Sequence, residues 1–244
     1  MADYRYFKYR FINKNLIDSL VNGSLYFALP SNLNDPFDCQ VDIRKSANFA
    51  ASKVSGMKRE ILLKISTLDN FGDEIQRRMM KIGVCSFSLN LEESLLWSHY
   101  ADEHRGVCLM YEFTENFILE EANEIVGVSE IVYGENPLSD WLIENIPDQI
   151  ENDFYDHFTT ELLKRVLIVK SDGWRYENEC RIIRQKSGPF LIPKECLKQV
   201  CFGMHAEKAD MQLVRKIVDS AGYSVEYCQI CKRESDFGIK TVEI

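Results

Sequence analysis

The chain has 244 residues, of which 45% are hydrophobic, and its formal charge at pH 7 is −9. A chain of this length buries a large core, and its acidic charge argues against broad, sequence-independent binding to nucleic acid, which depends on basic residues, while leaving room for a local basic groove. An apolar run of ~18 residues is absent, and the N-terminus is too charged and aromatic for a signal peptide. We therefore expect a cytoplasmic protein without a transmembrane helix, and its eight cysteines should be reduced thiols.

Strand and helix patterns alternate along the chain. Residues 4–11 alternate as in a β-strand that ends near Arg10, a short helix runs from Asn15 to Gly23, and a second strand covers 24–29. The segment 47–81 predicts two helices with breaks near 56 and 70. Strands are expected at 83–88, 106–113 and 125–133, with a short helix over 92–101.

The second half of the chain continues this mixture. An acidic helical stretch at 137–164 precedes strands at 166–170 and 178–184. A strand, a helix and a strand then follow over 199–229, with a last strand at 239–244. No internal repeat or low-complexity linker is visible. We predict a single α+β catalytic domain over residues 1–244, with helical insertions at about 46–81 and 137–165.

The pair Glu177 and Glu179 is the most informative motif. In a strand, residues two apart project from the same face, so these carboxylates repel each other, which is costly in a structural strand and useful in a site. One carboxylate would bind a ribose hydroxyl or a metal, and the other would activate a nucleophile. The structural alternative is a pair of exposed glutamates that form ion pairs with Arg175 or Arg181.

Three further motifs carry polar groups that suit a ligand. Ser86 and Ser88 share a face of the strand 83–88. The Asn-Asp-Pro-Phe-Asp turn at 34–38 is rigid because the residue before proline avoids the helical region, and it can present amide and carboxylate groups. The short helix around Trp97 contains His99 and Tyr100, which can stack on a flat ring or form hydrogen bonds with it. Core packing is the alternative for Trp97.

Two other readings of the acidic residues remain open. Asp35, Asp38, Glu177 and Glu179 would converge on magnesium in a metal-dependent nuclease, although Arg181 occupies the place where a catalytic lysine is expected. In a non-catalytic binding module, the two glutamates would pair with Arg10 or Arg105. A structural zinc is not expected, because Cys228 and Cys231 form a lone C-x-x-C pair.

The chain resembles a widespread bacterial family of uncharacterised domains over about residues 4–205. The segments that carry this resemblance are 7–10, 23–27, 34–38, 85–88, 97–109 and 174–181. More weakly, the order of Arg10, Ser86-Phe87-Ser88 and Glu177-Asn178-Glu179 resembles the R-S-E class of ADP-ribosyltransferases. The second resemblance implies an ADP-ribosyltransferase-like fold, in which a split, mixed β-sheet core is surrounded by helices.

The same resemblance implies roles for individual residues. Arg10 would hold the phosphates or a ribose of NAD, and Ser86 would support the nicotinamide-ribose pocket. Glu179 would bind the ribose 2′-hydroxyl and stabilise the oxocarbenium-like transition state, whereas Glu177 would assist the acceptor. The expected NAD site also contains Ser88 and Tyr26. Two motifs without a counterpart in this class, the 34–38 turn and the helix around Trp97, add Asn34, Asp35, His99 and Tyr100 to it.

The implied activity is transfer of ADP-ribose from NAD to a macromolecular acceptor, either a protein or a nucleic acid. NAD would be consumed as a substrate, and no metal or membrane partner is expected. A lone bacterial enzyme of this type is usually a toxin or a phage-defence effector. Such an effector would need an antitoxin or inhibitor protein to be tolerated by its host.

Overall fold

The computed structural model describes residues 5–67, 71–147 and 154–244. The strands are β1 (Tyr6–Arg10), β2 (Ser24–Phe27), β3 (Gly83–Ser88), β4 (Val107–Tyr111), β5 (Ile125–Glu130), β6 (Val132–Gly134), β7 (Val169–Ser171), β8 (Glu179–Arg184), β9 (Gly188–Leu191), β10 (Leu197–Phe202), β11 (Glu226–Lys232) and β12 (Ile239–Glu243). The helices are α1 (Lys14–Asn22), α2 (Ile43–Ala51), α3 (Gly56–Thr67), α4 (Phe71–Met79), α5 (Ser94–Tyr100), α6 (Glu115–Leu119), α7 (Pro137–Asn145), α8 (Phe154–Val166) and α9 (Lys208–Ser220).

A large mixed sheet organises this part of the chain. Its eight described strands follow the order β12-β11-β10-β4-β1-β3-β8-β5. Strands β10 and β11 run parallel, and the other neighbours in this order run antiparallel. Two short pairs, β2 with β9 and β6 with β7, lie outside it. The predicted α+β class with a mixed sheet is confirmed.

The sheet is split between β1 and β3. Strand β1 pairs with β4 along its full length, and β3 pairs with β8 from Gly83 to Ser88. Between β1 and β3, both fully described, the register contains one residue pair, Phe7 with Ser88. Beyond that pair the Lys8 Nζ donates a hydrogen bond of 2.8 Å to the carbonyl of Ser86, so a side chain replaces the backbone ladder. The split opens a cleft in the middle of the sheet.

The two faces of the sheet are packed differently. One face carries a continuous apolar cluster that includes Leu16 and Leu20 of α1 and Val214 and Val218 of α9. The opposite face carries two clusters, one around Trp97 of α5 and one among α2, α3, α7 and α8. Strand alternation and the β3–β8 register place four polar residues on this second face, between its clusters: Ser86, Ser88, Glu179 and Arg181.

The backbone around the two glutamates differs from the sequence prediction. Strand β8 begins at Glu179, whereas Glu177 is the last residue of a 3₁₀ turn, Asp172–Glu177. Asn178 between them adopts a left-handed conformation with φ of 42°, which is available to asparagine at low cost. The prediction that both carboxylates project from one strand is therefore wrong, and a turn brings them together.

The insertions and short strands also depart from the prediction. The first helix of the predicted stretch 47–81 begins earlier, at Ile43, because Asp42 caps the backbone amide of Lys45, and the rest of that stretch is helical over the described parts of α3 and α4. The predicted break near 70 lies largely outside the described residues. The predicted strand 125–133 is two strands, β5 and β6, which pair with different partners. In the described part of the chain, no helix has the length and apolar character needed to cross a membrane.

Glycine is needed at position 106, where the chain that follows α5 enters β4 of the sheet. A Cβ at this position would lie 2.3 Å from the carbonyl oxygen of Arg10, a backbone atom that moves only with β1. We expect Gly106→Ala to destabilise the protein by about 1–3 kcal/mol, as overpacking does. Urea denaturation measures this, with Gly127→Ala as the control, because a Cβ at Gly127 meets nothing within 4 Å. Equal stability of the two variants would refute the close approach.

Candidate active site

Lys170, at the centre of β7, holds three carboxylates together. Its Nζ lies 2.5 Å from Glu177, 3.0 Å from Glu179 and 3.6 Å from Asp38. No side chain of the four is more than 7% exposed. Burial lowers the pKa of Lys170, but the carboxylates of Glu179 and Glu177 raise it by more than burial lowers it. The pKa of Lys170 therefore lies above its ordinary value, and the ammonium stays charged.

Arg181, on β8, is the second buried cation of this cluster. Its Nε donates to Glu179 Oε1 at 2.7 Å, and its Nη2 donates to Asp38 Oδ2 at 2.5 Å. The third nitrogen donates to the carbonyl of Leu167 at 2.7 Å, and the side chain is 0% exposed. Asp38, from the 34–38 turn, therefore links the turn to β8.

The cluster contains three carboxylates and two cations, so it carries an excess of one negative charge when every group is ionised. The desolvation free energy of so many buried charges can exceed the stabilisation that their mutual attraction provides. A buried network of this kind is therefore weak support for a purely structural role. It is instead an arrangement that shifts pKa values, and shifted pKa values are typical of functional sites.

The two glutamates have pKa values shifted in opposite directions. Burial raises the pKa of Glu179, but Arg181 and Lys170, with a hydrogen bond from Ser86, outweigh it and lower the pKa to about 2. Burial also raises the pKa of Glu177, and here Lys170 and Tyr100 offset only part of the rise, so its pKa stays above the ordinary value. Two neighbouring carboxylates whose pKa values are shifted apart in this way are able to take different acid–base roles.

Helix α5 and the 34–38 turn meet at Glu177. The hydroxyl of Tyr100 donates to Glu177 Oε1 at 2.6 Å, and the side-chain amide of Asn34 donates to the Tyr100 oxygen at 2.9 Å. Each oxygen of Glu177 therefore has a partner, Tyr100 on one side and Lys170 on the other. Burial, together with the Glu177 carboxylate, raises the pKa of Tyr100, so it remains protonated.

Two adjoining cavities follow the split in the sheet. The first, about 160 Å³, is lined by six of the predicted residues: Asn34, Ser86, Ser88, Tyr100, Glu177 and Glu179. The second, about 590 Å³, contains Arg10 and Tyr26 beside α1. Both are bordered by Lys8, Asn34 and Ser86, so the cavities adjoin at these residues. The structure thus brings eight of the ten predicted site residues to one cleft.

The remaining two predicted residues lie elsewhere. Asp35 accepts a hydrogen bond from the backbone amide of Phe37 and lines a separate cavity on the far side of Asp38. His99 is exposed, and its ring lies against Tyr100 and Tyr176 outside the cleft. Ser88 lines the first cavity, but its hydroxyl is hydrogen-bonded to the backbone of Asn90, which stabilises the following turn.

The geometry also bears on the two alternatives. Asp38, Glu177 and Glu179 converge, but the ammonium of Lys170 lies among them, and Asp35 is engaged in its own turn. Within residues 5–67, 71–147 and 154–244, no group of three His, Cys, Asp or Glu side chains is arranged to hold a metal ion. Among the described residues, neither partner proposed for a binding module pairs with the glutamates: Arg10 forms no ion pair, and Arg105 pairs with Asp102 and Glu103 instead.

Sequence reasoning missed Lys170. Lys170 ends the apolar run Leu167-Ile168-Val169. A lysine that continues a short buried strand is itself expected to be buried and paired with a carboxylate, and the sequence shows this signal. The sequence suggests Asp38 as a metal ligand or as a carboxylate of the ligand-binding turn 34–38, and Arg181 as an ion-pair partner or an occupant of the lysine position of a nuclease. In the structure these two residues and Lys170 hold the glutamates in place.

Comparison with known proteins adds one finding. No curated protein and no solved structure matches the chain. Residues 96–182, which run from α5 into β8 and include Tyr100, Lys170, Glu177, Glu179 and Arg181, match a family described as "Protein of unknown function (DUF2971)".

Proposed function

We propose that the protein is an NAD-dependent ADP-ribosyltransferase that transfers ADP-ribose to a macromolecular acceptor. One observation carries the proposal. A cleft through the split sheet contains two carboxylates with oppositely shifted pKa values at one end and the cation Arg10 at the other. The larger cavity lies within the range of roughly 300–1,000 Å³ that is typical of cofactor-sized sites.

The Arg10 end of the cleft suits a diphosphate. Arg10 is half-buried at the end of β1, and among the described residues its guanidinium forms no ion pair or hydrogen bond. Lys8 lies between the two cavities, with its ammonium hydrogen-bonded to Ser86 and placed over the ring of Phe87. Arginine is well suited to phosphate because its planar fork donates two parallel hydrogen bonds.

The glutamate end suits cleavage of a glycosidic bond. As the bond between nicotinamide and C1′ of the ribose breaks, the bonding electrons leave with the neutral nicotinamide and positive charge develops on the sugar. Glu179, which its low pKa keeps ionised, would stabilise that charge, and the excess negative charge of the cluster acts in the same direction. The acceptor nucleophile then forms a bond to C1′ and loses its proton to the ionised form of Glu177.

We propose in addition the type of fold, the biological role and the class of acceptor. The split sheet and the order of Arg10, Ser86 and Glu179 along β1, β3 and β8 support an ADP-ribosyltransferase-like fold. The resemblance to the R-S-E class further suggests a bacterial toxin or phage-defence effector that is restrained by an antitoxin or inhibitor protein. Its acceptor would be a protein or a nucleic acid, held at the mouth of the cleft.

Arg10 provides a direct test of NAD binding. We expect Arg10→Ala to weaken NAD binding roughly tenfold or more, because it removes charged hydrogen-bond donors to phosphate. Isothermal titration calorimetry with the purified protein measures the change. Arg5→Ala is the matched control, since Arg5 is exposed and pairs loosely with Glu112 at 3.8 Å.

The same protein is then incubated with NAD and cell lysate, and nicotinamide release is followed together with ADP-ribose on macromolecules. Binding that Arg10→Ala weakens, together with nicotinamide release, supports the proposal. If wild-type protein neither binds NAD nor releases nicotinamide with any lysate fraction, the proposal is refuted.

A further inference from the structure

Tyr100 has a place in the site that the proposed reaction leaves unexplained. It is the last residue of α5, and it lies between the 34–38 turn and Glu177, with hydrogen bonds of 2.9 Å and 2.6 Å. These contacts join residues that are 66 and 77 positions apart in the sequence. Two motifs from distant parts of the chain therefore converge on one oxygen of one carboxylate.

The position of Tyr100 is firmly fixed by its helix. Trp97, one turn earlier, is fully buried, donates to the carbonyl of Leu91 at 2.8 Å and packs edge-on against Tyr9. Asp102, Glu103 and His104 immediately after the helix all have positive φ, which is costly for residues other than glycine. The chain therefore accepts backbone strain to end α5 at this point.

The direction of the hydrogen bonds decides what Tyr100 does. A phenol has one O–H donor, and because Asn34 donates to its oxygen, that proton is directed at Glu177. A donated hydrogen bond favours the ionised form of a carboxylate. Glu179 receives its hydrogen bonds from Lys170, Arg181 and Ser86 and none from Tyr100. Tyr100 therefore acts on one of the two glutamates.

We infer that Tyr100 is a positioning residue that orients Glu177 toward the acceptor, and that Asn34 holds the Tyr100 hydroxyl in that direction. The inference rests on the proposed transferase function. If Glu179 drives departure of nicotinamide and Glu177 takes the proton of the acceptor, loss of the hydroxyl impairs the second event more than the first. The fate of the ADP-ribose, captured by an acceptor or released by water, then depends on Tyr100.

The test compares two products of one reaction. Tyr100→Phe keeps the ring and removes the hydroxyl. With radiolabelled NAD and clarified cell lysate as the acceptor source, we expect the ratio of ADP-ribose on macromolecules to nicotinamide released to fall roughly tenfold. The acidic limb of the transfer rate should also move to higher pH, because Glu177 loses a hydrogen bond that favours its ionised form.

Two further variants make the result specific. Asn34→Ala, at an exposed position, should lower the same ratio by a smaller factor at saturating NAD. Tyr223→Phe is the matched control, since this half-buried tyrosine also donates one hydrogen bond, to the carbonyl of Leu20 at 2.9 Å, and lines neither cavity. It should leave the ratio unchanged.

The outcomes separate the inference from the proposed function. A wild-type protein that releases nicotinamide, with a ratio that is equal in Tyr100→Phe, overturns the positioning role alone. A wild-type protein that produces neither product refutes the proposed function and the inference with it. A lower ratio accompanied by an unshifted pH profile also contradicts the inference, because it leaves Glu177 unaffected.

Discussion

Replacement of Arg181 by methionine will destabilise the fold by about 3–5 kcal/mol, since it removes one partner of a fully buried ionic network. Glu179 loses two hydrogen bonds, and Asp38 keeps the thiol of Cys39 and the more distant cation Lys170, at 3.6 Å. The carbonyl of Leu167 loses its guanidinium donor as well and keeps the weak thiol donor of Cys39. Urea denaturation at pH 7 measures the change in the free energy of unfolding.

The control for this variant is Arg78→Met, which breaks an exposed pair with Glu74 on α4. Exposed ion pairs contribute little, so the midpoint of the control should stay near that of the wild type. If Arg181→Met unfolds at the same urea concentration as Arg78→Met, the charges around Arg181 are solvated, and the description of a buried network is wrong.

The acid dependence of stability should change in the same experiment. The pKa of Glu179 falls from 4.5 to about 2 on folding, so its contribution is present above pH 4.5 and is lost as the pH falls toward 2. Without Arg181 the folded pKa rises, and the loss of stability between about pH 5 and 2 should become shallower. Glu177 acts in the opposite direction, because its raised pKa makes its contribution disappear as the pH rises through that value.

Replacement of Glu179 by glutamine will lower the rate of nicotinamide release roughly 10²–10³-fold at saturating NAD, if the proposed function is correct. The change keeps the shape of the side chain and removes the charge that would stabilise the developing cation. Chromatographic measurement of nicotinamide gives the rate, and calorimetry should show that NAD still binds, since Arg10 is intact.

Two controls accompany this variant. Glu130→Gln makes the same chemical change on β5, where the side chain is exposed, and should retain the wild-type rate. Denaturation of Glu179→Gln confirms that the variant is folded, because Arg181 and Lys170 each lose part of a partner. A rate within threefold of the wild type would remove Glu179 from the chemistry.

Local patterns predicted much of the fold. The alternation in 4–11 and 83–88 places Arg10 and Ser86 on the strands where they are found, and the described parts of 46–81 and 137–165 contain helices. The short strands β6 and β9 were missed as separate elements, because three or four residues give too little periodicity. Glu177 was placed on a strand because the left-handed conformation of Asn178 leaves no trace in an alternating pattern.

The site was predictable as a set of residues but not as a set of contacts. Ser86, Glu177, Glu179 and Tyr100 were named from motifs, and the structure brings them to one cavity. Their partners come from elsewhere in the sequence, as when Asp38 meets Arg181 across 143 positions. Such pairings depend on how the sheet and the helices pack, and no local pattern encodes them.

The single residue pair between β1 and β3 has a mechanical consequence. A sheet resists shear along its strands through the backbone bonds that join neighbours, and in the described sheet this seam has one pair where β1 and β4 share five. Thermal motion that separates the two halves of the sheet therefore has to break the fewest backbone pairs between β1 and β3. A molecule bound in the cleft would contact both halves of the sheet and link them. Occupancy of the site would therefore make the whole sheet stiffer.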